Sequence, residues 1–346
     1  MEAFVQLPRE GPSVNPIERA VRGFDDWQQR HPVVGFPIAV VKKFGDDQGG
    51  NLVSLLAYYS FVATFPLLLA LTAVLGAVLR AHPMLQQRLV NSALAEFPII
   101  GGQLHQQLGV ASFGHTTLSL TVGVLGALYG ARGFANGLQN ALNTVWAVPR
   151  VDWPGFGPRY ARTIAALLVL AMIVLVTGAS GTAAGAAESL GFHGLPARAV
   201  SVVVGTILGF GFFLALFRIA VASSVPTRAM LPGAAVSAVG WQVLLNVAGV
   251  IVAHQLRHAQ AVAGFFGVVL GLLSWLALQA TLIIYAIEAD VVRTKRMWPR
   301  SIIQPPLIEG DKLYYNEKLR AESRRPEQHL DVGFESEEMD DREPTQ

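Results

Sequence analysis

Long stretches without a charge run through this sequence, and few architectures can hold them. Residues Leu52 to Leu79 read LVSLLAYYSFVATFPLLLALTAVLGAVL, with no charged side chain anywhere. A run of about 20 apolar residues, rising about 1.5 Å each as a helix, crosses a hydrocarbon core about 30 Å thick. We read six such runs: Leu52–Leu79, a second within a longer helix from Thr116 to Trp146, then Arg162–Ala187, Ala199–Ala222, Met230–Ala253 and Gly264–Ile287. The 346 residues could make two soluble domains by length alone, but 52% are hydrophobic and only 14% charged, a balance that belongs to a membrane protein. The expected fold is all-α, polytopic, with six transmembrane helices.

Lys and Arg in the flanks set the orientation. Arg9, Arg19, Arg22, Arg30, Lys42 and Lys43 precede the first span; Arg150, Arg159 and Arg162 join the second to the third; Arg228 lies between the fourth and fifth; and VVRTKRMWPR follows the sixth. The other loops carry only Arg80, Arg88, Arg198 and Arg257. Both termini are therefore expected in the cytoplasm. These basic residues are accounted for by topology, with contact to anionic membrane lipids as an addition. No signal peptide is expected, and the first span should serve for insertion. There is no cysteine, hence no disulfide framework and no thiolate chemistry.

Three regions follow: a cytoplasmic segment over 1–50, a transmembrane domain over 51–298, and a cytoplasmic, largely disordered acidic tail over 299–346. In the first, Ile17, Val21, Phe24 and Trp27 share a helical face, as in an amphipathic helix lying on the inner membrane surface and broken by Pro32 and Pro37, with a cytoplasmic helix packed on the bundle as the alternative. Between the first two spans, PMLQQRLVNSALAEFPIIGGQLHQQLG has helical period and predicts short helices outside the bundle. Pro66 should kink the first span. Pairs such as Gly126/Gly130, Gly133/Gly137, Gly205/Gly209 and Gly267/Gly271 have the small-xxx-small spacing that lets helices approach closely.

The segment GARGFANGLQNALNTVW, 130–146, is polar where the rest is not. Its apolar lead, Leu118 to Ala131, covers only about 21 Å, so Arg132 and the following turn must lie within the membrane. Arg132, Asn136, Gln139, Asn140 and Asn143 fall within an arc of roughly 100° of one helix. An Arg at that depth costs about 2.5–3.5 kcal/mol against lipid, so the stripe should face protein or water. By depth, its partners would be Gln242 and Asn246 on the fifth span, Gln279 on the sixth, hydroxyls of Tyr58, Tyr59, Ser60 and Thr64 on the first, and Glu288 or Asp290 as carboxylates for Arg132. The stripe is either interhelical glue or the lining of a polar cavity with Arg132 as its anion-facing charge. Five polar residues including an Arg favour the cavity.

The sequences NLVSLLAYYSFVATFPLLLALTAVLG, GFANGLQNALNTVWAVPR, VPTRAMLPGAAVSAVGWQVL and GFFGVVLGLLSWLALQATLIIYAIEAD together resemble the YihY/BrkB-like family of bacterial inner-membrane proteins, over about residues 45 to 298. Some members carry the older label ribonuclease BN. One departure is YAIEAD, where the family would end Gly-Ala-Glu; Glu288 keeps the acidic position. The resemblance implies six helices, cytoplasmic termini and a place in the bacterial inner membrane. It also implies transport or flipping of a lipid or other anionic envelope component, and assigns no catalytic residue.

The ribonuclease label finds no chemistry here. Metal-assisted RNA hydrolysis needs a cluster of His, Asp or Glu ligands, whereas His254 and His258 lack a third ligand and lie in an outer loop. His82, His105, His115 and His193 also fall outside, where ordinary loop histidines are expected over an external pH response. Without a Walker loop or a serine-hydrolase signature, neither ATP-driven work nor hydrolysis is expected of this chain. The expectation is a non-enzymatic protein with no cofactor, no metal and no nucleic-acid partner. It would be a secondary transporter or flippase, or else a non-transporting membrane scaffold or envelope-assembly factor.

Overall fold

The computed structural model describes residues 16–78, 117–153, 194–255 and 264–328, with the stretches 161–165 and 332–334 and a few single positions. Among them are eight helices of ten or more residues: α1 Pro16–Arg30, α2 Pro32–Asp46, α3 Gly49–Val78, α4 Thr117–Val145, α5 Leu195–Ala220, α6 Leu231–Gln255, α7 Gly264–Thr294 and α8 Glu309–Ala321. No strand occurs among the described residues. Most of the third expected span, the helices expected over 83–109, and His82, His105, His115, His193 and His258 lie outside them.

Three stretches, Leu195–Ala220, Thr227–Val247 and Val269–Thr294, are long and apolar enough to cross a membrane. Their outer faces carry Val203, Ile207, Val236, Val239, Val243, Leu270 and Leu278, all exposed. Such a dry exterior is what lipid accepts and water does not. α3 and α4, 30 and 29 residues, have the length of spans too. α4 packs along α3, α7 against α3 and α6, and α5 against α6.

The α3–α4 contact depends on small residues. A Cβ on Gly130 would come within 2.8 Å of the Ala63 backbone, and one on Gly133 within 2.7 Å of the Tyr59 ring. Gly137 lies against the other edge of the same ring. The Gly133/Gly137 pair is thus a socket for Tyr59, a tighter role than helix contact alone.

Two expectations for the flanking segments need correction. Pro32 does start a new helix after His31, but Pro37 sits inside α2 without breaking it. Its ring leaves the Val33 carbonyl without a donor, and Val33 is 86% exposed, so solvent can take over that bond. The tail is ordered well past 299. Arg300 and Ser301 are fully buried, and α8 docks beneath α2 through Asp311 and Tyr314, also buried. Composition alone misjudged 299–321 because its polar groups are satisfied by other parts of the chain. α1 contributes too: Asp25 accepts bonds from the Ile302 amide and the Ser301 hydroxyl, both at 3.0 Å. Residues 16–47 and 295–321 therefore gather at one end of the bundle.

Candidate functional site

The polar stripe on α4 is divided by depth. Arg132 is exposed, Asn136 and Asn140 are half-buried, and Gln139 and Asn143 are buried. Asn143 is fixed as glue. Its amide donates to the Gln139 carbonyl at 2.7 Å, and its carbonyl oxygen accepts the Ala222 amide at 2.8 Å, beyond the end of α5. Gln139 differs: it is 3% exposed, and neither its amide nitrogen nor its oxygen has a partner among the described residues. Buried amides are nearly always satisfied, so this one calls for a role.

The partners expected for the stripe separate in the structure. Tyr59 seats on the glycines beside the stripe, while Tyr58 points outward and is 58% exposed. Gln279 is buried on α7. Asn246 accepts from Arg198 at 2.7 Å and donates to the Gln242 carbonyl, so that pair serves the α5–α6 contact. Asp290 accepts the Gly233 amide at 2.9 Å and so caps the start of α6.

Glu288 is not a partner for Arg132. It accepts from Lys43 Nζ at 2.7 Å, and the same ammonium donates to the Val145 carbonyl at 2.8 Å. Glu288 thus sits level with the end of α4, about 20 Å by helical rise from Arg132. Lys43 also reaches Asp47, one turn along α2, at 2.5 Å. Lysine, aspartate and glutamate are all essentially without solvent exposure.

This buried cluster is the feature that sequence reading missed. Lys43 passed as one of many positive flanking residues, although its spacing of four from Asp47 was visible. The Glu288 contact, 245 residues away, had no local signal. From α8, Lys318 reaches Asp47 at 2.6 Å and the Tyr314 hydroxyl donates to it at 3.0 Å. Burial works against the Lys43 ammonium, but Glu288 and Asp47 outweigh it and hold the group charged beyond its ordinary range. Burial likewise opposes the Asp47 carboxylate, and Lys43 with Lys318 holds it below the usual carboxylate range. Burial, then Asp47, pushes the Tyr314 hydroxyl up, so it stays a donor.

Around the cluster, Arg300 lies 2.9 Å from both Asp46 and Asp311 and stacks over the Tyr314 ring at 4.4 Å. Lys295 bonds the Trp146 carbonyl and Glu317. Among the described residues no group of three or more His, Asp or Glu side chains could hold a metal ion.

Long helices with a dry exterior, and buried charges gathered among the described residues at one end, define an all-helical membrane protein. A family model for Virulence factor BrkB matches residues 40–306, and the chain belongs to that family. Inner membrane protein YhjD of Escherichia coli (strain K12) is 25% identical over 296 residues, covering 80% of this chain and 86% of that protein. An uncharacterized protein of Dickeya dadantii (strain 3937) is 24% identical over 270 residues, 73% of this chain and 81% of its own. No solved structure matches.

Proposed function

We propose that this BrkB-family chain is a secondary transporter or flippase for a lipid or other anionic envelope component, crossing the bacterial inner membrane six times with both termini in the cytoplasm. Gln139 carries the reading. A buried amide without a partner among the described residues, one turn from half-buried Asn136 and two from exposed Arg132, suits a path that offers polar groups to a passing ligand. Arg132 would meet the anionic group, and Asn136 and Asn140 would hand it on. The Lys and Arg bias of the flanks supports the orientation. Ile17, Phe24 and Trp27 are exposed while Asp25 and Gln28, on an adjoining face of α1, are buried, which supports α1 lying with its apolar edge against the inner membrane surface. No enzymatic step is assigned.

Asn136→Cys, in a chain otherwise free of cysteine, tests the path. Labelling by a membrane-impermeant thiol reagent in inside-out vesicles means water at that depth, since thiolate in water is the reactive species. Lipid and anion movement should then fall on Arg132→Ala. No labelling from either side in folded protein would overturn transport. It would leave the scaffold reading, which Asn143 as glue and the ordered terminal platform favour.

A further inference from the structure

We propose that the Lys43–Asp47–Glu288 cluster is a proton-binding site gated by docking of α8. The claim goes beyond transport and does not depend on what the chain moves. Its basis is a charge count in a dry place. One ammonium serves two carboxylates, so the buried triad by itself has an excess negative charge. The fourth charge, Lys318, comes from α8, and its side chain is 36% exposed, on the edge of solvent. Docked α8 therefore neutralises the set. With α8 undocked one lysine serves two carboxylates, with Glu288 still packed between α2, α4 and α7, an arrangement that favours a proton on one of them.

Which carboxylate takes it follows from the bonds. Asp47 accepts from Lys43, Lys318 and the Tyr314 hydroxyl. Among the described residues Glu288 accepts only from Lys43, through Oε2, and its buried Oε1 has no donor. That oxygen is where the proton binds. The proton comes from the cytosol through the opening left by α8. Lys43 keeps its own proton and turns its charge to Asp47, and the triad passes from net negative to neutral.

The other ionisable groups nearby are already engaged. Asp46 and Asp311 hold Arg300, Lys42 also pairs with Asp311, Lys295 holds Glu317, and Asp290 caps Gly233. Along α4 the contact at the cluster is the Val145 carbonyl. Linkage is reciprocal, so a proton on Glu288 loosens α8 just as docked α8 disfavours the proton. Because Lys43 also holds the end of α4, the same proton bears on the packing of α2, α4 and α7.

Full-length protein in phosphatidylcholine and phosphatidylglycerol nanodiscs provides the test. Infrared difference spectra report the carbonyl band of a protonated carboxylic acid, and a fluorophore on Lys312→Cys, an exposed position of α8, reports docking. On lowering pH the band should grow and α8 should loosen with one midpoint. The band should vanish in Glu288→Gln. In Lys318→Gln the midpoint should move to about tenfold lower proton concentration. A band that survives Glu288→Gln, or an unmoved midpoint in folded Lys318→Gln, overturns the proposal. Should Lys318→Gln not fold, the wild type decides: separate midpoints for the band and for α8 overturn it, and a shared one supports it.

Discussion

Replacing Lys43 by Met would leave two carboxylates buried with no ammonium between them. Breaking a buried pair from one side costs about 3–5 kcal/mol, and here Glu288 is left with neither water nor a partner among the described residues while Asp47 keeps Lys318. Thermal unfolding in detergent should show that loss. Adding Glu288→Gln to Lys43→Met should restore part of it, a coupling that independent sites would not show.

Asp25 gives a pH signature at the same scale. Burial raises its carboxyl, but bonds from the Ile302 amide, Gln28 and Ser301 outweigh it and hold the group below its ordinary value of 3.8. A depressed folded value means stability that is full above the unfolded value and lost as pH falls through the folded one. Hydrogen exchange of α1 should therefore rise with acid below about pH 4. Asp25→Asn should show the raised exchange already at pH 7, with a flatter acid response.

Among helices, the decisive contact is small against aromatic. Gly133→Leu would drive its side chain into the Tyr59 ring, and overpacking of this kind costs about 1–3 kcal/mol. Pairing it with Tyr59→Ala should recover much of the loss, read as a return of the unfolding midpoint. The spacing of Gly133 and Gly137 was legible as a close-approach motif; the ring that fills it was not. Spacing reports which residues share a face, whereas the neighbour comes from the packing of another helix. The stripe on α4 teaches the same lesson. Its one-sidedness was plain from 3.6-residue periodicity, yet which member stays exposed, as Arg132, lacks a partner among the described residues, as Gln139, or is glued to the Ala222 amide, as Asn143, depends on what packs beside each.

For the whole molecule, the contact between the terminal segments makes a firm expectation. α1 and α2 touch residues 300–318 at Asp25, Asp46 and Asp47, so both segments must lie on one side of the membrane. Single cysteines at Gly23 and Lys312 should label with the same sidedness, and under the proposed topology only in inside-out vesicles. Chains ending after 308 should unfold at lower temperature, as Asp47 and Arg300 lose Lys318, Tyr314 and Asp311. Chains ending after 334 keep all of these contacts and should match the full length.

Long uncharged runs determined by themselves that this chain is helical and belongs in a membrane, because helix length and lipid transfer are properties of consecutive residues. The same holds for the polar face of α4 and the glycine faces, which periodicity alone defines. The fate of each charge was decided only by the tertiary structure. Lys43 is a buried hub and not a surface cation, Glu288 answers to it and not to Arg132, and a polar tail becomes an ordered clamp. Electrostatic partners are chosen by distance in space, and 245 residues of intervening chain leave no local trace of that choice.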